Sequence, residues 1–327
     1  MITPYFDSLF DDFGIWQHTD GSKPILKEGY ALDDATRGLL LCLSLGRSNQ
    51  STILFNYIIN SKCENEFYGF ATAKRKYITL PASEDAKGQI IWAFGYAVSL
   101  GFKKEIALNF INEMVPNIFN MESLRGFTYS LLGAIYFDEI LAKMLIKELT
   151  KRFDNTTDKW PWPEDKLTYG NGLIPYAILR YALLFNDKDA ANLGIKILNF
   201  LEECCTKERI RGPIGNDGWF PKDSLAPAVY SQQPIDSAYM SWAWICAYQI
   251  SGDQEDLKKA KLWMLWFEGK NIAGRLMYDS ETLKAYDGIN KIGADHSNEY
   301  GVNYHSGAET NICFLLSRWM IQTETTI

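Results

Sequence analysis

Paired carboxylates stand at the beginnings of apolar helical segments in this sequence. "LDDATRG" carries Asp33 and Asp34, and "SEDAKG" carries Glu84 and Asp85. Carboxylates crowded into a cleft raise one another's pKa, which a general acid requires at neutral pH. A single acid in a first helical turn is explained equally well by the helix dipole, which it stabilises by about 0.3–1 kcal/mol, and Ser83 is a good N-cap. Each acid alone therefore indicates a helix cap as much as a catalyst.

Similar polar residues recur at the other apolar helix starts. The remaining stretches are "MESLRG" with Glu122, "TYGNGL" with Tyr169 and Asn171, "QQPIDSA" with Gln233 and Asp236, and "SGAETN" with Glu309. If these helices are parallel, their first residues converge on one cavity, and the doubled, aromatic-flanked acids favour catalysis over capping. We expect Glu84 or Asp85 to act as general acid, and Asp236 or Glu309 to be the base that activates water. In a six-fold ring the helix starts at Glu84/Asp85 and Asp236 lie on opposite sides. The carboxyl separation that this implies fits an inverting pair (~6.5–9.5 Å) better than a retaining pair (~5–5.5 Å).

Aromatic, acidic and amide residues are concentrated in the long connections and first helical turns. Such a cleft suits sugars, because the C–H faces of a sugar stack on rings and its hydroxyls form hydrogen bonds with polar side chains. Packing inside a large helical core is the competing interpretation, most strongly for Trp92. The predicted substrate-binding residues are Asp33, Asp34, Arg37, Trp92, Trp162, Tyr169, Asn171, Trp219, Gln233, Tyr286, Asp287, Asn303 and His305.

Several other functions are disfavoured by composition. The net charge is -7 and no block of Lys or Arg is present, which argues against nucleic acid as a partner. The three histidines, His18, His296 and His305, form no metal-binding motif, and no phosphate-binding glycine loop occurs. We therefore expect no metal and no organic cofactor. The N-terminus is acidic and lacks an apolar run, and no stretch approaches ~18 apolar residues, so we expect no membrane partner. The six cysteines, which include the adjacent pair Cys204 and Cys205, are typical of a cytoplasmic protein.

Helical periodicity covers nearly the whole chain, in two alternating kinds of helix. Charge-laced amphipathic segments such as "DQEDLKKAKLWMLWFE" alternate with segments that are apolar nearly all round, such as "DSAYMSWAWICAYQIS". We count twelve helices as six outer/inner pairs, with inner helices beginning near Asp33, Glu84, Glu122, Asn171, Asp236 and Glu309. Long connections all run into inner helices. This layout predicts an all-α (α/α)6 toroid forming one domain over residues 1–327, with an irregular α-solenoid as the alternative.

The chain resembles the six-hairpin (α/α)6 glycosidase-like superfamily, in particular a domain found alone or fused to family-4-type glycosyltransferases. The resemblance rests on "DDATRGLL", "SEDAKGQIIWAFG", "WPWPEDKLTYGNGLIPYAIL", "QQPIDSAYMSWAW", "YDGIN" and "GVNYHSGAETNICFLL". It implies a toroid that acts on carbohydrate, with functional positions at Asp34, Arg37, Glu84, Asp85, Asp236 and Glu309. Two positions depart from the pattern: Gly170 replaces an Asp, and "AKGQ" has Lys87 and Gln89, the latter in place of an Arg, which would alter the charge around Glu84.

The sequence thus predicts a glycoside hydrolase or closely related glycan-processing enzyme, with an oligosaccharide or glycoside as substrate and a glycosyltransferase of the same pathway as a further partner. A phosphorylase or an epimerase on the same scaffold is the alternative enzyme, and a non-catalytic glycan-binding domain is the alternative outside catalysis.

Overall fold

The computed structural model describes residues 4–21, 23–64, 66–207, 210–292 and 300–327. Twelve α-helices lie in these ranges, and they are α1 Pro4–Ser8, α2 Leu32–Ser44, α3 Ser48–Asn60, α4 Glu84–Ser99, α5 Lys104–Ile118, α6 Leu124–Ala134, α7 Glu139–Lys151, α8 Leu173–Phe185, α9 Lys188–Cys204, α10 Pro234–Ser251, α11 Gln254–Met264 and α12 Ala308–Thr323. The even-numbered helices begin within two residues of the six predicted inner starts.

Short strands occupy the connections. They are β1 His18–Asp20, β2 Lys23–Pro24, β3 Tyr30–Ala31, β4 Lys62–Cys63, β5 Glu66–Phe67, β6 Phe70–Ala71, β7 Lys166–Leu167, β8 Thr206–Lys207, β9 Ile210–Arg211, β10 Phe220–Pro221, β11 Gly288–Lys291, β12 Tyr300–Asn303 and β13 Ser306–Gly307. Antiparallel pairs form between β1 and β2, β3 and β6, β4 and β5, β7 and β10, β8 and β9, and β11 and β12. These strand pairings hold the long loops near the starts of the helices.

The chain divides into two compact units. The N-terminal unit consists of Ile2–Leu149, Gly307–Ile312 and Ile327, and the C-terminal unit of Thr150–Ser306 and Cys313–Thr326. The division falls inside α12, whose first residues belong to the N-terminal unit and whose remainder belongs to the C-terminal unit. That residues 1–327 form a single domain stays a prediction.

In the N-terminal unit, α2, α4 and α6 are neighbours that run parallel. Thr36 of α2 meets Gln89 near the start of α4, and Ser44 meets Tyr96 near its end. Almost every side chain of these helices is buried, because apolar residues surround each helix instead of forming one stripe. Their first turns therefore lie side by side, as the parallel arrangement predicts.

Glycines bring α4 and α6 into backbone contact. A Cβ added at Gly95 would lie 2.5 Å from the carbonyl oxygen of Gly133, and one at Gly126 would lie 2.7 Å from that of Glu84. Gly88 faces the backbone of Gly126 in the same way. Only residues without a side chain permit this approach, so we call Gly88, Gly95, Gly126 and Gly133 the glycine seam.

In the C-terminal unit, α8 and α10 are neighbours, and each packs on the helix that follows it. The carboxylate of Glu202, on α9, accepts hydrogen bonds from Arg211 at 2.6 Å, Trp244 at 3.0 Å and Trp263 at 2.7 Å. Because these donors come from β9, α10 and α11, one acid fixes four elements of this unit. Among the described residues, no helix has the length and apolar character needed to cross a lipid bilayer.

Candidate functional site

A guanidinium group holds three carboxylates where α2 and α12 begin, inside the N-terminal unit. Nη2 of Arg37 lies 2.9 Å from Asp33, 3.1 Å from Asp34 and 2.7 Å from Glu309. Asp33 and Asp34 precede Arg37 by four and three residues, so these two acids and the arginine lie on one face of α2. Glu309 comes from the first turn of α12. We call these four residues the carboxylate cluster.

Gln89 of α4 buttresses the cluster from behind. With its amide oriented to satisfy its neighbours, Gln89 donates to the carbonyl of Asp33 at 3.2 Å and to Thr36 Oγ1 at 2.8 Å, and it accepts from Arg37 Nη1 at 3.2 Å. The hydroxyl of Thr36 in turn donates to the carbonyl of Asp33 at 2.8 Å. Thr36, Arg37 and Gln89 are all at least nine-tenths buried, so the guanidinium is held in one orientation before any ligand arrives.

Asp34 differs from its two carboxylate partners in its burial. Its side chain is 4% exposed, compared with 41% for Asp33 and 31% for Glu309. Burial raises the pKa of Asp34 to about 8, and the charge of Asp33 adds to the rise, while Arg37 opposes it and Glu309 adds a further increase. Asp34 therefore carries a proton at neutral pH, whereas Asp33 and Glu309 present their carboxylates at the accessible side of the cluster.

Glu84 and Asp85 both contact the beginning of the neighbouring helix α6. Oε2 of Glu84 accepts from the backbone N–H of Ser123 at 2.6 Å, and Oδ1 of Asp85 accepts from the Ser123 hydroxyl at 2.5 Å. Ser83 caps α4 by accepting from the N–H of Ala86 at 3.1 Å. The doubled acid thus ties two parallel helix starts together, and both acids keep part of their surface exposed. That they act in catalysis stays a prediction.

The two departing residues of "AKGQ" make different contacts. Gln89 contacts Arg37, Thr36 and the Asp33 carbonyl, and Lys87 forms an ion pair with Glu66 at 2.5 Å. Gln89 therefore bears on the carboxylate cluster, while Lys87 and Glu84 line the same surface pocket.

Trp92 and Trp162 lie in the interior of their respective units. Trp92 is 0% exposed, and Trp162 is 2% exposed with its indole N–H donating to Glu164 at 3.2 Å. Such burial is typical of packing side chains. Contact between either indole and a substrate stays a prediction.

Asp236 and Asn171 stand near the starts of α10 and α8, and both are 5% exposed. They line a small cavity of about 10 Å³ that also includes Cys205 and Pro213. Asn171 accepts from the N–H of Thr168 at 3.2 Å and donates to the carbonyl of Thr168 at 2.7 Å, which shapes the turn into α8.

Tyr169 and Trp219 form a partly exposed aromatic pair in the C-terminal unit. Their ring centroids are 6.2 Å apart, and Tyr169 is 41% exposed. Pairing of Leu167 with Phe220 between β7 and β10 sets the two rings side by side. Trp219 has a φ of 59°, a left-handed conformation that bulky residues adopt only under constraint. Sites where a side chain is aimed at a ligand commonly store such strain.

The remaining predicted residues also lie in the C-terminal unit. The ring of Tyr286 is 5.0 Å from that of Tyr304, the N–H of Asp287 donates to the carbonyls of Asn303 and His305, and the side chain of Asn303 accepts from the N–H of His305 at 3.2 Å. Gln233 is the N-cap of α10. His305 is exposed, while His296 lies outside the described residues. Within the described ranges, no group of three or more His, Cys, Asp or Glu residues is arranged to hold a metal ion.

No profile of a known protein family and no curated protein matches the chain. Solved structures do match it. A sugar epimerase from a ruminal bacterium has a TM-score of 0.70 at 15% identity, covering 99% of this chain and 96% of its own. The cellobiose 2-epimerase of Bacillus thermoamylovorans B4167 has a TM-score of 0.68 at 14% identity, covering 98% and 96%. The cellulase Cel9M of C. cellulolyticum has a TM-score of 0.56 at 14% identity, covering 95% and 87%.

These likenesses confirm the predicted fold. The chain is an all-α (α/α)6 toroid, and the resemblance to six-hairpin (α/α)6 proteins expected from its motifs is confirmed over nearly its whole length.

Proposed function

We propose that the protein is a carbohydrate-active enzyme whose substrate binds at the carboxylate cluster. The observation that carries this proposal is the sharing of one Arg37 nitrogen by three carboxylates, two of which stay partly exposed. Fixed, charged oxygens bind sugar hydroxyls strongly and with defined direction. The fold supports the same class, since the solved structures that match the chain include sugar epimerases and a cellulase.

For the reaction, we propose glycoside hydrolysis by a carboxylate pair. In this proposal Glu309, which Arg37 orients, is the base that activates water, and Glu84 or Asp85 is the general acid. Asp34 and Glu309 cannot be the acid and base of an inverting reaction. Their oxygens share Nη2 at 3.1 and 2.7 Å and so lie less than about 6 Å apart, short of the ~6.5–9.5 Å that an inverting pair requires. Asp236 remains the alternative base from the sequence.

A second candidate reaction is epimerisation or isomerisation of a sugar. The epimerases match 98–99% of the chain with TM-scores of 0.68–0.70, against 0.56 for the cellulase. Such a reaction removes and returns a proton beside a carbonyl, and a cluster that holds the protonated Asp34 beside two partly exposed carboxyl groups supplies acids for that transfer.

Incubation with a panel of aryl glycosides and disaccharides in D2O, followed by 1H NMR, separates these reactions. Hydrolysis releases a reducing sugar, whose first-formed anomer reports inversion or retention. Epimerisation yields a new aldose with deuterium at the carbon that exchanged its proton. Binding without either product would overturn both enzymatic proposals and favour a glycan-binding protein.

Variants tie the activity to the cluster. We expect Glu309→Gln and Asp33→Asn each to lower kcat/KM by at least about 100-fold, the order of a general acid–base contribution. Glu139→Gln, which alters an exposed acid in the first turn of α7 that pairs with Lys143, is the matched control and should leave turnover unchanged. Full turnover in both cluster variants would remove the cluster from the site.

A further inference from the structure

A large cavity lies inside the C-terminal unit, between the C-terminal end of α9, the β8–β9 hairpin and the loop of residues 213–229. Its volume is about 1070 Å³, at the upper end of the ~300–1,000 Å³ typical of small-molecule sites. Apolar side chains form most of its wall, among them Phe200, Pro213, Phe220 and Pro227. Asp33, Asp34, Arg37 and Glu309 are not among its lining residues.

One buried amide in the lining has an unused donor. Gln232 is 2% exposed, and its Oε1 accepts from the indole N–H of Trp266 at 3.0 Å. This bond fixes the orientation of the amide, because Nε2 could not accept from an indole. Among the described residues, Nε2 of Gln232 has no acceptor. This donor can therefore pair with an acceptor on a bound ligand.

A hydroxyl in the same lining is also unused. Oγ1 of Thr206 is buried and has no hydrogen-bond partner within the described part of the chain. Thr206 pairs with Arg211 in the β8–β9 hairpin, and the N–H of Gly212 donates to the carbonyl of Cys205 at 2.9 Å. The hairpin therefore carries Thr206 and Gly212 to the same part of the cavity.

Gly212 leaves the amide of Gln232 open. A Cβ at this position would lie 3.0 Å from Nε2 of Gln232, closer than ordinary contact. The absence of a side chain thus preserves access to a donor that the protein itself leaves unpaired.

The geometry points to a second binding site in this cavity, for a neutral saccharide. Aromatic and proline surfaces accommodate the C–H faces of a sugar ring, and the Gln232 amide and Thr206 hydroxyl offer hydrogen bonds to ring hydroxyls. The described lining holds both signs of charge, with Lys159, Lys196 and Lys207 against Asp158 and Glu203, and Lys196 pairs with Asp158 at 2.9 Å. The site requires no catalytic activity and stands apart from the proposed function.

Saturation-transfer NMR with cellobiose, maltose and sucrose, followed by isothermal titration calorimetry of each disaccharide that binds, tests this site. We expect Thr206→Val to weaken binding about three- to tenfold, the worth of one hydrogen bond, while leaving the thermal midpoint unchanged or higher because an unpartnered buried hydroxyl is removed. Gly212→Ala should weaken binding to a similar extent by covering Nε2 of Gln232. The matched controls are Thr52→Val, which removes a hydroxyl on α3, and Gly69→Ala.

The outcomes separate the two sites. Binding lost in Thr206→Val but kept in Arg37→Met supports the cavity, whether or not turnover is found. Binding lost in Arg37→Met and unaffected by Thr206→Val and Gly212→Ala belongs to the carboxylate cluster and overturns the cavity site, leaving the proposed function standing. No binding of any of the three disaccharides, or binding only of the detergent n-octyl β-D-glucoside, also overturns it.

Discussion

Arg37 is the residue on which the carboxylate cluster depends, because three acids share one of its nitrogens while Gln89 occupies another. Removing the guanidinium takes a hydrogen-bond donor from the buried Asp34 and from Asp33 and Glu309. The cluster therefore bears on the stability of the fold as well as on the proposed binding of substrate.

We expect Arg37→Met to lower the free energy of unfolding by roughly 1.5–3 kcal/mol, the worth of a hydrogen bond to a charged group. Urea denaturation at pH 7 measures the change. Arg75→Met is the control, because Arg75 forms ion pairs with Asp12 and Asp11 at the surface, and solvent-screened ion pairs contribute little to stability. Equal stability of the two variants would contradict the cluster's role in the fold.

The raised pKa of Asp34, about 8, makes stability depend on pH. An unfolded Asp titrates near pH ~3.9, so between about pH 4 and pH 8 the folded protein holds a proton that the unfolded chain has released. Stability therefore falls as pH rises through this window, by at most about 1.4 kcal/mol per pH unit from this group. Below and above the window its contribution is constant.

Asp34→Asn should remove this part of the pH dependence. We expect the variant to gain stability relative to the wild type on going from pH 5 to pH 8, as measured by urea unfolding at both values. Asp158→Asn serves as control, because Lys196 holds the pKa of Asp158 low, so that this acid does not titrate in the window. A constant difference between Asp34→Asn and the wild type would show that Asp34 is ionised in the folded state.

At the residue scale, the sequence predicts which acids stand at helix starts but not which of them meet. Asp33, Asp34 and Arg37 follow from helical spacing within "DDATR", whereas the contact with Glu309 joins residues more than 270 positions apart in the chain. Gln89 was noted only as a departure from a motif, and Thr36 was missed. A polar residue inside an apolar helix was the available signal, since a buried amide requires partners.

At the scale of elements, the alternation of amphipathic and apolar helices predicts where the even-numbered, apolar helices begin, to within two residues. The sequence locates these helix starts because a helix that is buried on all sides appears as a continuous run of apolar residues. It does not predict the short strands, whose two-residue pairings depend on distant partners such as Tyr30 with Ala71 and Leu167 with Phe220.

The glycine seam gives the prediction that belongs to this scale. Gly95→Ala places a methyl group against the backbone of Gly133, and we expect it to lower the free energy of unfolding by about 1–3 kcal/mol, although alanine is the better helix former by ~1 kcal/mol. Thermal and urea unfolding measure the loss. Gly69→Ala is the matched control, since its added Cβ meets its nearest neighbour at 3.5 Å. Unchanged stability of Gly95→Ala would mean that α4 and α6 can separate without cost.

At the scale of the whole molecule, we propose that the two compact units unfold together as one domain. Helix α12 contributes residues to both units. Unfolding of one unit alone would leave only a short helical segment in the other, and short helices are unstable. All tryptophans except Trp16 and Trp92 belong to the C-terminal unit, so fluorescence reports mainly on that unit while far-UV circular dichroism reports on both. Coincident urea transitions are expected, and a separate dichroism transition without a fluorescence counterpart would contradict a single domain.

The glycine seam also has a consequence for recognising relatives. Solved structures match this fold at 11–15% identity, where general sequence similarity carries little signal. Backbone contact, however, leaves no room for drift at the seam: its glycines stand seven apart within α4 and within α6, and the two sets are 38 positions apart in the chain. A search for that spacing within two successive apolar helices would find relatives of this protein whose overall sequence similarity is too low to detect.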